Sequence, residues 1–185
     1  LKFPHIALVG KARSGKDTVA GILIRHAQYT RVAFADPLKE MALHTDPLIP
    51  TATGIHVRLS NLINDVGWEY AKDTYPEVRR ILQHIGQSVR RHDEGFWVGV
   101  ALDRIHVADS WNLPVVVTDC RYPNEAKALE ARGFILVRVL RPGLESADPH
   151  ESETALDDYP THATLVNGGT PADLYEEVRA LVMPA

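Results

Sequence analysis

Cysteine is nearly absent: Cys120 is the only one in 185 residues. No intrachain disulfide can form, and the scattered histidines give no zinc-ligand spacing. No apolar run reaches membrane-spanning length, and the first residues lack a charged segment leading into a long apolar core. Basic charge is not in excess, with 20 Lys and Arg against 24 Asp and Glu. That disfavours a general nucleic-acid binder, which carries a basic face. It leaves room for a small phosphorylated ligand, because a few local arginines suffice. Internal repeats, low-complexity tracts and inter-domain linkers are missing too. The expectation is a single domain over residues 1–185 in a reducing cytoplasm, with no membrane and no nucleic acid among its partners.

What is present is a strict alternation of strand and helix patterns. The run "HIALVG" reads as a buried strand, and "GKDTVAGILIRHA" carries apolar residues at helical spacing. "RVAFA" reads as a second strand. "DPLKEMALH" opens a helix with Asp36 as N-cap and Pro37 at the first helical position. Leu48 to Thr53 reads as loop, and the stretch from His56 as a helix up to about Gly67. "PEVRRILQHIGQSVRR" is amphipathic, with Val78, Ile81, Leu82, Ile85 and Val89 on one face, and "GFWVGVALDRIHVA" follows as helix. "PVVVTD" is a continuous β-branched run, as expected of a parallel strand covered on both faces. A short helix, the strand "FILVRVLRPG", a polar helix-loop, the strand "ATLVNGG" and a closing helix from Pro171 complete the chain. The fold class expected is α/β, with a mainly parallel sheet of about five strands and ligands at their C-terminal ends.

One stretch carries a specific chemistry. In "ALVGKARSGKDTVAGIL", Gly10 and Gly15 bracket four residues and Lys16 follows. Glycine permits the dihedrals that turn successive N–H groups toward one anion, and the following helix adds its positive end. Gly10, Lys11, Ala12, Arg13, Ser14, Gly15, Lys16, Asp17 and Thr18 are thus the candidate binders of nucleotide phosphates. Lys16 is placed to neutralise charge on the β- and γ-phosphates. In the usual loop a hydroxyl follows the lysine and holds Mg²⁺; here it is Asp17. Two readings stand. Asp17 holds Mg²⁺, directly or through water, or it is a first-turn aspartate favoured by the helix dipole, with Thr18 as the polar contact. A second carboxylate, Asp119, ends the strand "VVVTD", in line with the phosphate loop, where a Mg²⁺-nucleotide site needs it. Arg121 lies two residues on and can grip a phosphate. Asn124 and Glu125 fit helix capping, and Cys120 a packed thiol.

"GKARSGKDTVA", "FADPLKE", "ILQHIGQSVRRHDEGFWV", "TDCRYPNEA" and "HESETALDD" occur in that order. Together they resemble the deoxynucleoside monophosphate kinases of bacteriophages, within the P-loop nucleoside monophosphate kinase fold, and the resemblance spans nearly the whole chain. That family carries aspartate after the loop lysine. The resemblance implies transfer of the γ-phosphoryl group of ATP to a deoxynucleoside 5′-monophosphate, with Mg²⁺, for which Asp17 and Asp119 are the candidate ligands. If the chain is phage-encoded, the compartment is the host cytoplasm. The family motif G-T-E-x-G-R stands here as Gly86, Gln87, Ser88, Val89, Arg90 and Arg91. Its glutamate and second glycine are missing, and Arg91 falls on its arginine with Arg90 as the neighbouring option.

Against that background the remaining residues take roles. The catalytic set is Lys16, Asp36, Arg91, Asp119 and Arg121. Asp36 would orient the acceptor and Lys39 bind its phosphate, the bland reading being a helix cap and a solvated lysine. Arg79, Gln83 and Arg90 share a helix face: a glutamine amide can read a base edge while an arginine fork takes a phosphate. Trp97 is a stacking candidate or a core aromatic. The acceptor-binding region is expected over about residues 36–110 and a lid over about 141–160. There Arg141 would reach the ATP phosphates and Glu153 of the H-x-S-E segment the substrate; Asn167 fits an adenine-side loop. Phosphomevalonate kinase of the animal type (which shares S-E-x-x-L-D, here Ser152 to Asp157), dephospho-coenzyme A kinase and a nucleotide-dependent switch are the alternatives, with a DNA-binding module a weaker fourth. Oligomeric state is open, a symmetric dimer being the commonest form of a soluble oligomer.

Overall fold

The computed structural model describes residues 3–144 and 150–182. The chain divides into two compact units, residues 1–34 with 98–185, and residues 35–97. The second unit ends at Trp97, short of the bounds of about 36–110 expected for a helical acceptor region. Of the expected lid, Glu145 to Pro149 lie outside the described residues.

The first unit is built on a five-stranded sheet. Its strands are β1 (Ile6–Val9), β2 (Thr30–Val32), β5 (Val115–Val117), β6 (Ile135–Leu140) and β7 (Ala163–Val166). Their order across the sheet is β2-β5-β1-β6-β7, and every pairing is parallel. β1 and β5 read as continuous apolar runs because each is buried on both faces. Helix α1 (Lys16–Ala27) and the closing helix α7 (Pro171–Val182) pack on one another. Val19, Leu23, Val137, Leu165 and Val178 meet in the core there. Helix α5 spans Phe96–Ser110, and α6 spans Pro123–Glu130. Helix α7 starts where the sequence predicts: Thr170 Oγ1 and the Asp173 carboxylate cap each other's backbone N–H, with Pro171 at the first position.

The second unit is helical, with a small hairpin. It contains α2 (Ala35–Thr45), β3 (Leu48–Pro50), β4 (His56–Arg58), α3 (Leu59–Thr74) and α4 (Pro76–His92). Four expectations change here. The stretch from Leu48, read as loop, forms strand β3, paired antiparallel with β4 through Ile49 opposite Val57. A three-residue strand has too little periodicity to be seen in sequence; burial of Ile49 in the unit's core is what fixes it. Helix α3 therefore begins at Leu59 and not at His56, and Asp46 accepts a hydrogen bond from Ser60 N at its start. The helix also resumes after Gly67, whose φ of 75° and ψ of 165° break it into two segments. Finally, α2 starts at Ala35, so Asp36 sits in the first turn and is not the N-cap. There the helix dipole favours a carboxylate.

Candidate active site

β1 ends at Val9, and the loop from Gly10 to Gly15 turns the chain into α1. Three loop residues adopt positive φ: Gly10 at 141°, Arg13 at 63° and Gly15 at 107°. A Cβ on Gly10 would lie 2.5 Å from the Val139 carbonyl oxygen of β6, so close strand approach demands glycine there. A Cβ on Gly15 would collide with the amide of Asn167. Asn167 Nδ2 donates instead to Ser14 O at 2.9 Å, tying the end of β7 to the loop. Asn167, assigned to an adenine-side loop from sequence, thus holds the phosphate loop's backbone.

Lys16 is 8 % exposed, and its Nζ donates to Gly10 O at 2.7 Å and Lys11 O at 2.8 Å. The ammonium closes the loop into a ring. Burial first, and then the nearby Arg121, push its pKa down to about 8. Glu153, Asp17 and Asp119 act in the opposite direction, so both proposed metal-binding carboxylates lie within electrostatic reach of Lys16. Ser14 is 2 % exposed, and its Oγ has no hydrogen-bond partner. An orphaned buried hydroxyl inside a nest of N–H groups suits a ligand rich in oxygen acceptors.

The loop's principal partner lies in the H-x-S-E segment. Glu153, read as an acceptor-binding residue, reaches into the phosphate loop. Its Oε2 accepts a hydrogen bond from Ala12 N at 2.8 Å, and its Oε1 is paired with the Arg121 guanidinium. Arg121 also donates to Ser152 O at 3.3 Å. One helical turn on, Asp157 lies 3.9 Å from Lys11 Nζ. The spacing of Glu153 and Asp157 in S-E-x-x-L-D, with buried Leu156 between them, was the available signal. Arg138 fixes this segment from below, donating to the carbonyls of Leu156 at 2.8 Å and Tyr159 at 2.7 Å. His150 and Ser152 form a local turn, with His150 Nδ1 accepting from Ser152 N.

Asp119 lies just past β5, beyond Thr118, and its Oδ1 accepts from Phe34 N at 2.8 Å, which fixes the carboxylate beside the end of β2. The motif after it is capping machinery. Glu125 is 3 % exposed and accepts from the backbone N–H of Arg121 at 2.8 Å and of Tyr122 at 3.1 Å. It holds the turn that presents Arg121. Cys120 is buried, and desolvation raises its thiol pKa well above the usual value, in keeping with packing and not reactivity. Arg141 Nη1 lies 3.5 Å from Arg13 O of the phosphate loop. Asp17 and Thr18 are exposed at the start of α1.

The acceptor-side candidates all fall in the helical unit, except Glu153. Lys39 Nζ lies 5.7 Å from the Trp68 ring centroid. Arg79 donates to Lys72 O and to Asp73, bracing α4 against the end of α3. Gln83 and Arg90 are half-buried on α4, while Arg91 is exposed and contacts Ser88 Oγ at 3.1 Å. Trp97 takes the second of its two readings, the core aromatic. It is 4 % exposed and its indole donates to Gly86 O at 3.2 Å. The bulky ring serves the core, not base stacking. Among the described residues, no group of three or more His, Cys, Asp or Glu is placed to hold a metal alone.

The sequence profile of the deoxynucleotide monophosphate kinase family matches residues 48–178, so the phosphate loop precedes the matched stretch. A protein of Acanthamoeba polyphaga mimivirus, provisionally named a deoxynucleotide monophosphate kinase, is 27 % identical over 96 % of this chain and 95 % of its own length. The deoxynucleotide monophosphate kinase of Enterobacteria phage T4 is 27 % identical over 66 % of this chain and 49 % of its own. An uncharacterized protein, ORF77 of Ictalurid herpesvirus 1 (strain Auburn), is 38 % identical over 56 % of this chain and 47 % of its own. The chain thus spans about half the length of the phage and herpesvirus relatives it matches, and nearly all of the mimivirus one. With the profile covering well over half of its residues, the chain belongs to the deoxynucleotide monophosphate kinase family.

Proposed function

We propose that the protein transfers the γ-phosphoryl group of ATP to a deoxynucleoside 5′-monophosphate, giving ADP and the deoxynucleoside diphosphate. The observation that carries this reading is the phosphate loop itself. It is closed by Lys16 and already holds an anionic oxygen, the Glu153 carboxylate, on its backbone N–H. The acceptor class comes from family membership.

In the reaction an oxygen of the acceptor's 5′-phosphate attacks the γ-phosphorus. The bond from that phosphorus to the bridging oxygen breaks, and ADP leaves with the bond's electron pair. The acceptor oxygen is already ionised, so no strong base is needed. Catalysis is positioning and charge stabilisation. The loop N–H groups and Lys16 hold the donor phosphates, with the Ser14 hydroxyl as an additional donor. Arg121 balances charge on the moving group. The acceptor is assigned to the helical unit, with Arg90 or Arg91 for its phosphate and Asp36, Lys39 and Gln83 for orientation. Asp17 and Asp119 would hold a hard divalent cation, since carboxylate oxygens are among its preferred ligands. Mg²⁺ bound there would take its other ligands from phosphate and water and neutralise charge on the β- and γ-phosphates.

The test is ADP release from Mg-ATP against dAMP, dGMP, dCMP, dTMP, their ribose forms, phosphomevalonate, dephospho-coenzyme A and no acceptor. ADP release that depends on a deoxynucleotide, with the diphosphate identified, is the expected result. Release only with phosphomevalonate or dephospho-coenzyme A, or with no acceptor at all, would overturn the choice of substrate.

A further inference from the structure

The phosphate loop is not an open cradle. Glu153 fills part of it. Its carboxylate takes the Ala12 N–H that an anion in the nest would take, and it holds the Arg121 guanidinium. Only 6 % of its side chain is exposed, so the contact is desolvated and its hydrogen bonds are charge-assisted. The Ser152 carbonyl adds a second tether to Arg121. The segment behind is anchored separately, by Arg138 on the carbonyls of Leu156 and Tyr159. The backbone at Leu156 and Tyr159 is thus held independently of the Glu153 side chain.

Two anions cannot share these donors. A phosphate group brought to Ala12 N and Lys16 would stand against the Glu153 carboxylate in a poorly solvated site, where like charges repel strongly. We propose that Glu153 is a built-in phosphate surrogate, an autoinhibitory contact that competes with the donor nucleotide for the loop and passes Arg121 to the phosphates only when it is displaced. This rests on the phosphoryl-transfer reading above. It deepens that reading in one respect: Arg121 is neutralised by Glu153 in the resting protein and becomes a phosphate ligand only once nucleotide is bound.

The test is calorimetric titration of ADP and of inorganic pyrophosphate, without metal, into the wild-type chain, Glu153→Gln and Lys16→Ala. Gln is isosteric but uncharged, so Glu153→Gln is expected to bind both ligands about tenfold tighter than wild type. Equal or weaker binding by Glu153→Gln, with wild type binding normally, overturns the surrogate and leaves the nucleotide site standing. Lys16→Ala binding as tightly as wild type overturns the nucleotide-site reading, and the surrogate with it. A second measurement needs no variant. In isotope-labelled wild type, saturating pyrophosphate should move the Ala12 amide, the Arg121 guanidinium and the Glu153 carboxylate resonances together. An unmoved Glu153 carboxylate with a shifted Ala12 amide would mean that the two anions coexist, which overturns the proposal.

Discussion

Burial and the neighbouring Arg121 push the Lys16 ammonium down to about 8, while a bound polyphosphate favours its charged form. The sign follows. Below pH 8 Lys16 is protonated with or without ligand, and affinity is at its full value. Above it the nucleotide-free protein loses the proton, and ADP must restore it on binding. Affinity is therefore expected to fall with rising pH by up to about tenfold per unit from pH 8, with proton uptake seen in the titration heat. Lys16→Arg, which stays charged, should flatten that profile even if it binds more weakly; a wild-type profile flat to about pH 10 would contradict the assignment. Gly10 is the other single residue on which the site depends. Gly10→Ala places a methyl 2.5 Å from the Val139 carbonyl at a positive φ. We expect a loss of about 2 kcal/mol, read as a fall in Tm of about 5 °C, together with weaker ADP binding.

At the level of elements, the strands and helices that frame the phosphate loop were legible because each carries a complete local signal. β1 and β5 are unbroken apolar runs, and α4 has a full apolar face over four turns. The β3–β4 hairpin was not legible, since three-residue strands take their form from the burial of Ile49 and not from any period. Helix α5 shows how packing reassigns a residue. Trp97 was a candidate for stacking on the acceptor base, yet its ring is buried and its indole N–H bonds to Gly86 O of α4. Trp97→Ala should cost about 3–5 kcal/mol of stability, measured by denaturant unfolding. Trp97→Phe should fold and leave the acceptor KM within about twofold of wild type, since the ring is not asked to touch substrate. A tenfold rise in KM for that variant would restore the stacking role.

At the scale of the whole molecule, the two compact units divide the proposed work. The sheet unit holds the phosphate loop, Asp119, Arg121 and Glu153, and the helical unit carries Arg90 and Arg91. Donor and acceptor recognition should accordingly separate in mutants. Replacing both Arg90 and Arg91 by Ala is expected to lower kcat/KM for the deoxynucleotide by about a hundredfold while the Kd for ADP stays unchanged. A matching loss in ADP affinity would argue that these arginines serve the donor. Among the described residues no helix is long and apolar enough to cross a membrane.

The sequence alone determined the α/β class, the parallel sheet and the phosphate loop, because glycine spacing, β-branched runs and helical periods are local properties of the chain. It also put Lys16, Asp17, Asp119 and Arg121 forward as one site. Tertiary structure decided which neighbour each of them meets. It brought Glu153 onto the phosphate loop, gave Asn167 the loop backbone, and decided between the two readings of Trp97 in favour of the core. Those partnerships join residues as many as 153 positions apart, and such pairs are fixed by packing and burial rather than by any pattern readable along the chain.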